Sequence, residues 1–241
     1  MGKEVIVRSL DEQWLAMNAA LAKVGLSKSV SVKRQGRLIV GLDLTASREK
    51  GLEQARIATA QMFEAIRTIG AVTVKLIYYR GSSECMASKW HADAGELIGY
   101  MSKLGCEFGE TQIARVLRLA LSETEPISGV VLILDACEEN HRELVELSQE
   151  LGAKQKPLFI FHECSDSNAQ SLKAKPLFKQ MAQECRGAYV EFKPDSGEVL
   201  KEMLASVAAF SAGGVDGLKQ IAGKSVEGKQ LKARLLLGPG N

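Results

Sequence analysis

Asp43, Thr45 and Ser47 stand at alternating positions directly after the apolar run Leu38-Ile39-Val40-Gly41-Leu42. One carboxylate and two hydroxyls at the end of a buried strand place three hard oxygen donors in one short loop. Such donors suit a divalent cation, Mg²⁺ first and Mn²⁺ or Ca²⁺ as alternatives, because these ions take oxygen ligands and retain part of their water. A plainer reading is a strand-to-helix turn in which the same side chains cap the following helix. Two further positions bear on the choice. Asp135 follows the most apolar run of the chain, residues 129–134, and Thr111 immediately precedes a helical pattern, where its hydroxyl can cap that helix or turn to a ligand.

The elements that must position these residues are legible as alternating periodicities. Residues 38–42, 72–79, 129–134, 158–161 and 188–192 read as strands, with 86–91 as a short edge strand reached through Gly81-Ser82-Ser83. Helical spacing is expected over 51–69, with Ile57, Ala58, Met62, Ala65 and Ile66 on its apolar face. It is also expected over 94–104, 112–121, 142–151, 177–185 and 198–210. Strands that alternate with helices imply parallel pairing and helices on both faces, a three-layer α/β/α doubly wound domain. An amphipathic helix over 11–24 carrying Trp14 and a basic connector form a leading segment, 1–36. The core domain spans 37–212, and a lysine-rich appendage, 213–241, begins at the hinge Gly213-Gly214. In open parallel sheets, sites form outside the carboxyl ends of the strands where strand order reverses, so Asp43 and Asp135 converge if their two strands flank that point.

Composition narrows the classes. The 241 residues, 46% hydrophobic and 25% charged, are sufficient for a full core. A net charge of +2 does not by itself point to nucleic acid, and no apolar run reaches the roughly 20 residues of a membrane span. The first residues lack the apolar stretch of a signal peptide. The five cysteines, Cys85, Cys106, Cys137, Cys164 and Cys185, form neither a disulfide framework nor a zinc spacing, and a reducing cytoplasm is the expected compartment.

Taken in order and on their elements, these pieces resemble the von Willebrand factor type A domain. The metal-ion-dependent adhesion site of that family is built from Asp-x-Ser-x-Ser after the first strand, a threonine in a later loop and an aspartate after the fourth strand. Asp43, Thr45 and Ser47 match the first element, Thr111 the second and Asp135 the third. The resemblance covers roughly residues 37–210. It implies a Rossmann-like, mostly parallel six-stranded sheet with one short antiparallel edge strand. Thr45 replaces the usual serine, Ala46 and Ala136 stand where glycine is common, and Glu110 precedes the threonine where glycine is often found. Tyr78-Tyr79-Arg80-Gly81, Glu84-Cys85 and Ala87-Ser88-Lys89-Trp90 are similar to a subgroup of bacterial intracellular members.

The resemblance implies a non-enzymatic, Mg²⁺-dependent adaptor that binds a protein partner's acidic group. Bacterial relatives often work beside ATPases or chaperone-like machines. Glu110, Glu138 and Glu139 are expected to make the rim acidic, with Arg48, Lys50 or Arg80 available to offset it. A rival reading, a haloacid-dehalogenase-type phosphohydrolase with Asp43 as nucleophile, requires a second acid where Thr45 stands, and a hydroxyl cannot act as that acid/base. A third, an RNA–protein complex component, lacks a concentrated basic and aromatic patch. Cys106 and Cys137 read as small hydrophobic fillers, His162-Glu163 as a loop element, and Trp90 as a core or covering aromatic. The tail lysines read as a solvated face or, with Leu231 and Leu235 to Leu237, as a docking peptide.

Overall fold

Alternation along the first strand sets the layering. In β1 (Gly36–Asp43), Leu38, Val40 and Leu42 enter one hydrophobic cluster, while Ile39 enters a second on the opposite face of the sheet. The computed structural model describes residues 35–46, 49–66, 70–165, 168–193 and 197–222. The expected helix over 11–24, most of the basic connector and the tail beyond 222 lie outside these residues.

After β1 come α1 (Glu49–Ile66), β2 (Val72–Arg80), β3 (Glu84–His91), α2 (Ala94–Met101), α3 (Ile113–Ser122) and β4 (Gly129–Leu134). The series closes with α4 (His141–Ala153), β5 (Leu158–Glu163), α5 (Ala169–Glu184), β6 (Ala188–Phe192) and α6 (Gly197–Ala222). The sheet order is β3-β2-β1-β4-β5-β6, every pair parallel except β2 with β3. This is the expected three-layer architecture with one antiparallel edge strand. Helices α1, α2 and α6 cover the face of Leu38 and Val40; α3, α4 and α5 cover the face of Ile39. Gly41 permits one close approach. A Cβ there would lie 2.5 Å from Leu132 Cδ2 of the neighbouring β4 and 3.0 Å from Val116 Cγ1 of α3, so a side chain would force both to shift.

The structure departs from the sequence expectations where a local rule is overridden. Helix α5 begins eight residues earlier than expected, although Pro176 lies inside it. The Asn168 side chain accepts the N–H groups of Gln170 and Ser171, which starts the helix well ahead of the proline. Pro176 therefore interrupts an established helix and removes a single backbone donor. Ile57, expected on the apolar face of α1, is 51% exposed; Leu52, Ala55, Ala58 and Met62 form that face. Gly214, at φ 62°, kinks α6, and the turns beyond it bury Leu218 in the first cluster.

The far end of α3 is held by a buried cation. Lys156 Nζ donates to the carbonyls of Ala120, Leu121 and Glu123 at 2.9, 3.3 and 2.8 Å. These carbonyls have no intrahelical donor, and the ammonium satisfies all three. Lys156→Met keeps the apolar stem but removes the donor, and urea denaturation should show a loss of roughly 2–4 kcal/mol.

Candidate metal centre

Strands β1 and β4 are neighbours at the point where strand order reverses, with Leu42 in register with Ile133. Asp43, the last residue of β1, and Asp135, the first after β4, open onto one cavity of about 270 Å³ at the carboxyl ends of the strands. Its lining comprises Asp43, Thr45, Ala46, Phe108, Gly109, Thr111, Asp135, Ala136 and Glu138. Four of the five residues singled out in the sequence therefore share a single cavity. All four are buried, between 4% and 7% exposed. Ser47 lies outside the described residues.

Each is set by its own loop. The Asp43 Oδ1 accepts the Thr45 N–H at 2.8 Å, so the chain folds back on the carboxylate immediately after β1. Leu44 between them donates its N–H to the Tyr79 carbonyl and accepts the Glu107 N–H, both at 3.0 Å, which ties this turn to β2 and to the loop before α3. Thr111 and Glu138 bind reciprocally. The Thr111 N–H donates to the Glu138 carboxylate and the Glu138 N–H to Thr111 Oγ1, each at 3.2 Å. Thr111 does not cap α3, and Gln112 at the cap position makes no side-chain cap bond. The capping falls to Glu139, whose two oxygens accept the N–H groups of Ile113 and Ala114. A carboxylate at a helix N-terminus is favoured by the helix dipole, and it leaves the Thr111 hydroxyl at the cavity wall.

Asp135 carries the most telling atom. Its Oδ1 is buried and has no hydrogen-bond partner among the described residues. A buried carboxylate oxygen without a donor is costly, and such groups are ordinarily hydrogen-bonded or coordinate a metal. Two carboxylates with hydroxyls form a hard oxygen set; among the described residues no cluster of three or more His, Cys, Asp or Glu side chains has metal-holding geometry. The donors present thus fit a small oxygen-seeking cation and not a thiolate- or imidazole-loving one.

The surrounding electrostatics are acidic. Tyr79, fully buried, has its phenol pushed well above the usual range, first by burial and then by the charge of Asp43, with Glu139 and Asp135 adding to it. The cavity lining holds three carboxylates and no basic side chain. Arg80, expected to offset this charge, is engaged elsewhere: it pairs with Glu84 at 3.0 Å and Glu107 at 3.2 Å. Glu139, expected on the rim, is spent on α3. Arg48 and the Lys50 side chain lie outside the described residues. Burial pushes the Cys137 thiol up to about 11, so it is protonated and unreactive at neutral pH.

No protein-family model matches the sequence, and no curated protein matches it. Solved structures do match the fold. A von Willebrand factor type A protein from Catenulispora acidiphila superimposes with a TM-score of 0.57 at 15% identity, over 73% of this chain and 43% of that one. The SpRpn10 VWA domain gives 0.53 at 15% identity, over 75% and 97% of the two chains. The fold is that of a von Willebrand factor type A domain. An aerotolerance-related membrane protein from Bacteroides fragilis is similar in the same way, with a TM-score of 0.54, 14% identity and coverage of 71% and 98%. This chain spans under half of the Catenulispora chain, and the likeness concerns the fold.

Within this type A fold, the replacements of glycine need no unusual backbone. Ala46, Glu110 and Ala136 all have negative φ, the only non-glycine exceptions among the described residues being Gln155 and Arg186. One supporting residue escapes a reading by motif. His162, expected in a loop, lies in β5 and is completely buried. Its Nε2 faces the Asp135 carbonyl and Ser171 Oγ, both at 3.0 Å, and its Nδ1 faces the Tyr189 hydroxyl at 2.7 Å. The consistent assignment has Nε2–H donating to Asp135, Nδ1 accepting from Tyr189, and Ser171 Oγ donating to the Glu163 carbonyl at 3.1 Å. The imidazole thus anchors the backbone of Asp135 from beneath. Its apolar surroundings lower its pKa from 6.5 to about 4, so it is neutral at physiological pH. Because the folded state binds this proton less readily than the unfolded chain, the stabilisation is complete above pH 6.5 and lost as the pH falls toward 4. Denaturation of the metal-free chain should show a loss of about 3 kcal/mol across that window. In His162→Gln, whose amide can still donate to Asp135 but does not titrate, the slope should be shallower by that amount.

Proposed function

We propose that this protein is a non-enzymatic, Mg²⁺-dependent protein-interaction module. Asp43, Thr45, Ser47, Thr111 and Asp135 would hold the ion, forming a metal-ion-dependent adhesion site. The observation that carries the reading is the buried Oδ1 of Asp135, without a hydrogen-bond partner among the described residues, in a cavity it shares with Asp43. Bound there, the cation would offer an open coordination position to a carboxylate of the partner and turn a weak surface contact into a charge-assisted one. The chain's own residues prepare that contact. Asp43 and Asp135 hold their carboxylates at the seam of the sheet, the Glu138–Thr111 pair orients the threonine, and His162 fixes the Asp135 backbone. Thr45 supports the binding reading over a catalytic one. It occupies the place where a phosphohydrolase of this type would need an acid, and its own N–H is bonded to Asp43. In the cell we assign the module to the cytoplasm, as an adaptor for a protein partner such as an ATPase or a chaperone-like machine. No helix among the described residues is long and apolar enough to cross a membrane.

Two measurements test the metal site. In calorimetry, Asp135→Asn should bind Mg²⁺ at least about tenfold more weakly than the unsubstituted chain, since a formal charge is lost and a neutral amide oxygen replaces a carboxylate as the ligand. Thermal unfolding should give opposite signs in the two metal states. Without Mg²⁺ the variant should melt higher, because like charges no longer face each other. With Mg²⁺ at about 100 times its dissociation constant the unsubstituted chain should gain about 2.7 kcal/mol and overtake it. Unfolding curves of the unsubstituted chain that are indifferent to Mg²⁺ and chelator would sink the proposal.

A further inference from the structure

We infer that the loop 107–110 selects the residue next to the partner's carboxylate, and that this neighbour is an arginine or lysine. The inference rests on the proposed metal-mediated contact and names the partner chemistry that the same site accepts. Its starting point is Phe108, which lines the mouth of the cavity and is 92% exposed. A large aromatic held this far into water contributes nothing to the core.

The loop that displays it is fastened on every side. The Glu107 N–H donates to the Leu44 carbonyl at 3.0 Å. Gly109 packs directly against the β2–β3 turn, where a Cβ would fall 1.9 Å from the Gly81 carbonyl oxygen. Gln112 Nε2 donates to the carbonyls of Arg80 and Gly81 at 3.3 and 3.2 Å, and Arg80 pairs with Glu107 at 3.2 Å. Phe108 is therefore presented from an anchored backbone, and a partner would lose little entropy in ordering it.

Charge decides what the ring meets. Glu107, just before Phe108, already has Arg80 as its complement, but Glu110 two residues beyond the ring and Glu138 in the cavity wall are exposed acids. Glu110 makes no ion pair among the described residues, and Arg80 is already held between Glu84 and Glu107. A wholly acidic partner would be repelled by this rim, and an aliphatic neighbour would use the ring but leave the carboxylates without complement. A guanidinium or ammonium satisfies both, through the face of Phe108 and the surrounding negative charge. The site thus reads a mixed-charge pair: an acid for the cavity and a base for the loop.

Random peptides displayed on phage, selected on the full chain in Mg²⁺ and eluted with EDTA, test this. The expected eluate carries an acidic residue with arginine or lysine adjacent or one position removed, and the basic preference disappears when the bait is Phe108→Ala. A synthetic peptide from that pool should bind Phe108→Ala about five- to tenfold more weakly, with little recovery in Phe108→Leu, which keeps apolar surface but has no π face. Acidic peptides without basic neighbours, or an equal basic preference on Phe108→Ala, would overturn the inference and leave the metal-dependent reading standing. An eluate with no EDTA-released peptide would overturn both.

Discussion

Where β1 runs parallel to β4 the strand order turns round, and the chemistry at that edge of the sheet depends on this one seam. The two strands share a backbone ladder in the centre of the sheet, buried on both faces by separate hydrophobic clusters. Their connections leave toward opposite sides, β1 toward α1 and β4 toward α4, so a cavity remains among the described residues beyond Leu42 and Leu134. That space receives the carboxylates of Asp43 and Asp135. Bringing two such groups out of water opposes folding, and the apolar packing on either side of the sheet offsets it. The core and the site are therefore energetically opposed features of the same two strands.

The loops around the seam show how that opposition is contained. Backbone donors are directed onto acidic side chains throughout: Thr45 onto Asp43, Thr111 onto Glu138, Ile113 and Ala114 onto Glu139. Each bond fixes an acid in place and satisfies a donor that the turn or helix end leaves open. The Asp135 Oδ1 receives no such donor among the described residues, although its backbone carbonyl is held firmly by His162. Firm positioning of the main chain combined with an unassigned side-chain oxygen is the arrangement expected of a group reserved for a ligand.

Much of this was legible in the residues, and the failures have identifiable causes. An uninterrupted apolar run marked β4 to the residue, since a fully buried strand leaves no polar position to blur its ends, and the alternation of buried Ala188, Val190 and Phe192 marked β6. The start of α5 was hidden because proline is read as a helix stop, whereas the Asn168 cap had already nucleated the helix. Ile57 was placed on the buried face of α1 by its apolar side chain alone. For the site, residue type at strand ends singled out Asp43 and Asp135, and the resemblance joined Thr111 to them. That they face one cavity follows from strand order, which no local pattern encodes. His162 escaped because a histidine beside a glutamate at the end of a strand looks like loop polarity; its role appears only when the strand is seen to continue beneath Asp135. Phe108 escaped for the opposite reason, since nothing in the sequence distinguishes a displayed phenylalanine from a buried one.

The Glu139 cap has a mechanical side. Its carboxylate grips the first turn of α3 with two oxygens, while Glu138, one residue earlier, grips Thr111. The far end of the same helix is clasped by Lys156, from the segment that leads into β5. Helix α3 is thus a strut with a fastening at each end, and it joins the loop after β4, at the carboxyl edge of the sheet, to the segment before β5 at the opposite edge.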